Sequence, residues 1–152
     1  MGYRSDVSIG IAFKDKAHMT NFITKCKLNS VISTEELSYY RVIQNDPPVI
    51  GWYFDNVKWY EGFEDVDMHT NFIEEANEYG CQTIFLRVGE SLDDIEESEY
   101  TSIEVDADWH ELGFSISRWV EVPDTLRVDT PVQTALQLIG ESDEQRTETS
   151  ES

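Results

Sequence analysis

Two strings of the form D-x-D-x-H carry the residue types best suited to chemistry: Asp65, Asp67 and His69, then Asp106, Asp108 and His110. Carboxylates with an imidazole can hold a divalent cation, and a cation with open positions can activate water. On a strand all three ligands would share one face. On a helix only the i, i+4 pair does, which brings Asp65 and His69 together and leaves Asp67 aside. The first string falls on an expected helix, where His69 belongs to the apolar stripe and is expected to be a hydrogen-bonded core histidine. The second falls in an expected loop and is the better metal candidate. It supports an alternative reading as a metal-dependent hydrolase or nuclease. Such strings arise easily by chance in a chain with 31 acidic residues, so no tight metal site is expected. His18 stands near the start of the first expected helix without an evident partner. There is no Gly-rich phosphate loop, no G-x-S-x-G and no plausible Cys–His pairing. The expectation is a non-enzymatic protein with no cofactor.

The acids themselves are the stronger signal. Glu90, Asp93, Asp94, Glu96, Glu97 and Glu99 form the densest cluster, and it lacks the spacing of a calcium loop. It reads as a solvated loop or, more sharply, as a partner-binding surface. The chain's net charge is −20. Residues 1–41 hold six bases and four acids, whereas residues 42–152 hold five bases and 27 acids. A field of this sign repels nucleic acid and anionic membrane and attracts basic protein surfaces. The aromatic run Trp52, Tyr53, Phe54, Trp59 and Tyr60 is of a kind that stacks on RNA bases, but only Lys58 lies nearby to meet phosphate. Packing within the protein is the expected role. The expected partner is therefore a basic protein, with no direct nucleic acid and no membrane contact; self-association through a sheet edge or a short helix is a third possibility.

The elements that position these residues follow from periodicity. Val7, Ile9, Ile11 and Phe13 alternate with Ser8, Gly10 and Ala12, which is strand period. Asp15 caps a helix to about Leu28, with Met19, Phe22, Ile23 and Cys26 on one stripe. Leu37 to Ile43 alternates as a second strand. Asn45-Asp46-Pro47-Pro48 is a turn, and Val49 to Tyr60 a third strand with a bulge or tight turn at Asp55-Asn56. A second helix spans Glu64 to Tyr79, with Gly80 at its C′ position. Cys81 to Val88 is a fourth strand, and Cys26 and Cys81 both read as buried small hydrophobes.

The order β-α-β-β-α-β predicts an α+β fold: a two-layer sandwich of the ferredoxin-like split βαβ type. Tyr100 to Val105 and Gly113 to Val122 predict an added C-terminal hairpin. Thr130, Pro131 and Gln133 open a short amphipathic helix to Ile139. Glu141 to Ser152 has no large apolar side chain and is expected to be disordered. The expected layout is a domain over 1–122, a linker and short helix over 123–140, and an acidic tail over 141–152. The opening residues do not read as a secretory leader, and no apolar run approaches the roughly 20 residues that span a bilayer, so a cytoplasmic protein is expected.

Three segments carry a resemblance: Gly2-Tyr3-Arg4-Ser5-Asp6-Val7, Val57-Lys58-Trp59-Tyr60-Glu61, and Arg87-Val88-Gly89-Glu90 followed by Asp93-Asp94-Ile95-Glu96-Glu97. Together they make residues 2–97 similar to a group of small, functionally unassigned proteins of tailed bacteriophages. The resemblance transfers no catalytic residue. It implies a context, the host bacterial cytoplasm, and a role: binding and modulating a basic, nucleic-acid-binding host protein, in the manner of an inhibitor, an anti-defence factor or a mimic of nucleic-acid charge.

Overall fold

The computed structural model describes residues 2–91, 93–116 and 120–123. The elements are β1 (Ser5–Ala12), α1 (Lys16–Leu28), α2 (Thr34–Leu37), β2 (Arg41–Asn45), β3 (Pro48–Val57), α3 (Glu64–Glu78), β4 (Gln82–Val88), β5 (Ile95–Tyr100), α4 (Trp109–Leu112), β6 (Ser115–Ile116) and β7 (Val120–Glu121). The fold is α+β. Strands β1 to β5 form one antiparallel sheet in the order β2-β3-β1-β4-β5, and β6 pairs with β7 in a separate ladder. The sheet thus holds a fifth strand, β5, beside β4 and next to the four strands of the β-α-β-β-α-β core.

β1 lies at the centre because both of its faces are apolar or small. Val7, Ile9 and Ile11 point to the side covered by α1 and α3, where they meet Phe22, Ile23, Cys26, Phe72 and Ala76. Phe22 and Phe72 touch across the two helices with ring centroids 5.2 Å apart. Asp15 caps α1 as expected, its side chain accepting from the His18 amide. The expected bulge is present: the β1–β3 register slips between Ser5↔Val57 and Val7↔Phe54, and Asn56 takes φ +56°.

Ser8, Gly10 and Ala12 point the other way and form a shallow trough. Val105, Trp109, Phe114 and Val122 fill it against Val49, Ile84 and Leu86, making a second core. A Cβ at Gly10 would stand 2.8 Å from Trp109 Cζ3 and 2.9 Å from Ile84 Cγ2, so the absent side chain is what admits the indole. The expected two-layer sandwich is corrected accordingly, because a covering segment after β5 closes the second face of the sheet.

Three further expectations are corrected. The strand expected over Leu37 to Ile43 is split. Ser33 caps α2 by accepting from the Glu36 amide, and β2 begins only at Arg41. The local Ser33 N-cap, in an S-x-x-E start signal, prevails over the alternation that follows it. The strand expected over Tyr100 to Val105 runs instead from Ile95 to Tyr100, paired to β4. Its intended partner, Gly113 to Val122, is not one strand. Gly113 ends α4 with φ +104°, and β6 and β7 pair with each other. The helix expected over Pro131 to Ile139 and the tail Glu141 to Ser152 lie outside the described residues. Among the described residues no helix is long and apolar enough to cross a membrane.

Candidate functional site

The six acids of the expected binding cluster fall on the turn after β4 and on β5, and they divide into two groups. Asp94 and Glu96 are held internally. Arg87 donates from Nη2 to Asp94 Oδ1 at 2.7 Å, from Nη1 to Asp94 Oδ2 at 3.2 Å, and from Nε to Glu96 Oε1 at 3.0 Å. It also donates from Nη1 to the Ser5 hydroxyl at 3.0 Å. The Tyr3 hydroxyl donates to Asp94 Oδ2 at 2.7 Å and accepts from the Ser91 amide at 2.9 Å. Arg87 first, then Tyr3, holds the Asp94 carboxyl below the usual carboxylate range, and the Asp94 hydrogen bond raises the Arg87 guanidinium in return. Glu90 accepts from the Arg4 amide at 2.6 Å. A Cβ at Gly89 would collide with the Asp94 carboxylate and the Tyr3 hydroxyl, so this turn depends on a glycine there.

Asp93, Glu97 and Glu99 form the other group. All three are exposed, and their side chains make no ion pair among the described residues. β5 is the outermost strand beside β4, and each of its six residues is exposed. In the β4–β5 register Glu97 and Glu99 stand opposite Leu86 and Ile84, on the second-core side, while Glu96, Ser98 and Tyr100 stand opposite Arg87, Phe85 and Thr83, on the helix side. On that helix side a groove of about 570 Å³ runs beside the edge, with Trp59, Tyr60, Ile73 and Phe85 as its apolar lining and Glu74 and Glu96 among its acids. The Trp59 and Phe85 rings lie 5.9 Å apart.

Neither D-x-D-x-H string converges. Asp67 accepts from the Gly62 amide at 3.2 Å, Asp65 accepts from the Val66 amide at 2.9 Å, and His69 points into the core. Asp106 and Asp108 border a cleft of about 370 Å³, but Asp108 is occupied as the N-cap of α4 and His110 does not line the cleft. No group of three or more His, Cys, Asp or Glu among the described residues is placed to hold a metal ion.

His69 is the polar centre of the helix-side core, as its place in the stripe predicts. Its Nε2 is 2.8 Å from Glu36 Oε1 and its Nδ1 is 2.9 Å from the Tyr40 hydroxyl. A carboxylate only accepts, so Nε2–H donates to Glu36 and the Tyr40 hydroxyl donates to Nδ1. Burial lowers the His69 pKa, against the opposing pull of Glu36, and burial pushes the Tyr40 hydroxyl well above its usual value. Tyr40 and His69 are both enclosed, so this relay pins α2 to α3 and cannot touch a substrate. Trp52 and Trp59 pack around the same imidazole, at 4.5 and 6.1 Å between centroids, which accounts for two of the five residues of the aromatic run.

His18, for which the sequence offers no partner, has two. Nδ1 accepts from the Lys14 amide at 3.0 Å, which leaves Nε2–H to donate to the Tyr79 carbonyl at 2.9 Å. Both cysteines are buried, and burial pushes each thiol up to about 12, far from a reactive thiolate. No protein-family model, curated protein or solved structure matches the chain.

Proposed function

We propose that the protein is a non-enzymatic binding module that docks a basic protein surface against the outer edge of its sheet. The observation that carries this reading is the exposed β5 edge with the turn before it, where Asp93, Glu97 and Glu99 are left over once Arg87 has taken Asp94 and Glu96. Uncompensated charge on a compact body costs stability through self-repulsion, and it gives an association rate advantage toward an oppositely charged partner. A role as a phage-encoded modulator or inhibitor of a nucleic-acid-binding host protein, by charge mimicry, agrees with the same charge and with the resemblance of residues 2–97. We read the first four strands as a split βαβ sheet of the ferredoxin-like kind. The order β2-β3-β1-β4 and the helices α1 and α3 on one face support that reading, and β5 extends it at the β4 side.

The test is a charge reversal that spares the internal network. Asp93→Lys, Glu97→Lys and Glu99→Lys together leave Arg87, Asp94 and Glu96 in place. With polylysine as the probe, the parent should associate rapidly at about 50 mM salt and lose most of that advantage by about 500 mM. The triple variant should associate more slowly and with a flatter salt dependence. Equal rates for the two proteins at both salt concentrations would defeat the reading.

A further inference from the structure

The backbone of β5 narrows the kind of partner. In an antiparallel ladder the hydrogen bonds join directly opposed residues, at every second pair. Gly89 N–H donates to Asp94 O at 2.8 Å, and these two residues continue the register in which Val88 stands opposite Ile95. The bonded pairs are therefore Arg87↔Glu96, Phe85↔Ser98 and Thr83↔Tyr100. Glu97 and Glu99 then turn their N–H and C=O groups away from β4, toward the edge that no strand among the described residues covers. Ile95 faces the same way, but its N–H is taken by the Asp93 carbonyl at 3.1 Å; Glu97 and Glu99 are the outward-facing residues whose carboxylates have no ion pair among the described residues.

We infer that this edge takes up an extended basic peptide as a sixth, antiparallel strand, with the pattern basic–apolar–basic. A residue paired to Glu97 or Glu99 places its side chain on the same face as that glutamate, at cross-strand distance. Lys or Arg at both places makes two cross-strand ion pairs. The residue between them stands opposite Ser98, and its side chain points to the other face, beside the groove lined by Trp59, Ile73 and Phe85. That position calls for an apolar side chain. Strand addition at a sheet edge works this way in general: main-chain bonds hold the peptide and alternate side chains select it. A second copy of this chain is the wrong occupant. Two β5 strands paired antiparallel about Ser98 would set Glu97 against Glu99 in both directions, and like charges directly opposed destabilise a sheet.

This inference rests on the acidic-docking reading and sharpens it, so its test separates the two. The probe is the peptide Thr-Lys-Val-Lys-Thr, titrated into the full chain while the Glu97 and Glu99 amide resonances are followed. N-methylation of both lysine amides removes the two donors that face β5, whereas N-methylation of the valine alters only an outward amide. The lysine-methylated peptide should bind about tenfold more weakly, as two lost hydrogen bonds imply, and the valine-methylated one should bind like the parent. The isomer Thr-Val-Lys-Lys-Thr should also bind more weakly. If all four peptides bind equally and salt weakens them alike, strand addition is wrong and acidic docking stands. If none binds and the triple charge reversal leaves polylysine association unchanged, both readings fall. If the protein alone dimerises, and Glu97→Pro abolishes the dimer while preserving the circular dichroism spectrum, the occupant is a second copy and the inference is overturned.

Discussion

The two faces of β1 close by different means. On the helix side, large strand residues meet large helix residues. Val7, Ile9 and Ile11 are covered by Phe22, Ile23 and Phe72 from two helices of 13 and 15 residues. On the other side the strand supplies only Ser8, Gly10 and Ala12, and the bulk comes from the covering segment, chiefly Trp109 and Phe114. The first face is specified by periodic stripes, each legible within its own element. The second is specified by complementarity between a groove of small residues and a few aromatics about a hundred positions away in the chain. A face built in the first way should resist single changes of detail and suffer from cavities. A face built in the second way should suffer most from added volume.

The largest effect should come from a cavity on the helix side. Phe72→Ala removes a fully buried ring that packs on both Phe22 and Tyr40. The expected cost is about 3–5 kcal/mol, as for other buried Phe truncations. Urea unfolding measures it, provided the denaturant slope is unchanged. A cost under about 1 kcal/mol would mean that α1 and α3 do not share this core.

Next in size is added volume on the other side. Gly10→Ala sets a methyl into the space of Trp109 and Ile84 and should cost about 1–3 kcal/mol by overpacking. The comparison sharpens in a double-mutant cycle. In a Trp109→Ala background the Gly10→Ala cost should shrink, because the nearest of three obstacles is gone and Ile84 and Phe114 gain room to shift. An unchanged cost in both backgrounds would show that the indole is not what holds Gly10.

The same contrast explains what the sequence reveals. Strand β1, helices α1 and α3 and the bulge at Asp55-Asn56 are local signals, and they stand close to where periodicity and turn chemistry put them. Helix α2 had a local signal too, the S-x-x-E start from Ser33 to Glu36, but it is short and the alternation from Leu37 onward is louder. Strand β5 has no such signal. Ile95 to Tyr100 is nearly all polar, and its position follows from Arg87 reaching Asp94 and Glu96, a pairing between strands that no periodicity reports. The acidic cluster is legible as composition, yet its division into held and free carboxylates is not. The groove beside it joins Tyr3, Trp59, Phe85 and Ser98, which come from four separate stretches of chain. His69 is legible as a core histidine from its place in the stripe. Its partners Glu36 and Tyr40 are not, because α2 itself was hidden.

The smallest of these effects is a pH dependence confined to the helix-side face. His69 is enclosed, and burial depresses its pKa from the ordinary 6.5, although Glu36 and Asp65 pull the other way. Glu36, Tyr40 and Asp65 are the titratable groups that act on it or touch it. In the unfolded chain the imidazole takes up a proton near its ordinary value, while the folded protein resists. Between the two values the unfolded state binds more protons, so stability rises with pH across that window. Acidification from pH 7 should therefore destabilise the fold as the pH drops below about 6.5, and this loss should level off below the folded-state pKa. The effect should be modest, because an imidazolium can still donate to Glu36 from Nε2 and to the Tyr40 oxygen from Nδ1 once that hydroxyl rotates. His69→Gln isolates it. A glutamine can donate to Glu36 and accept from Tyr40, but it does not titrate. Melting temperatures of parent and variant, compared at pH 7.5 and 5.5, should fall further for the parent. Parallel curves would mean that the imidazole is solvated enough to titrate normally, and that the helix-side core is less tightly closed around it than the geometry requires.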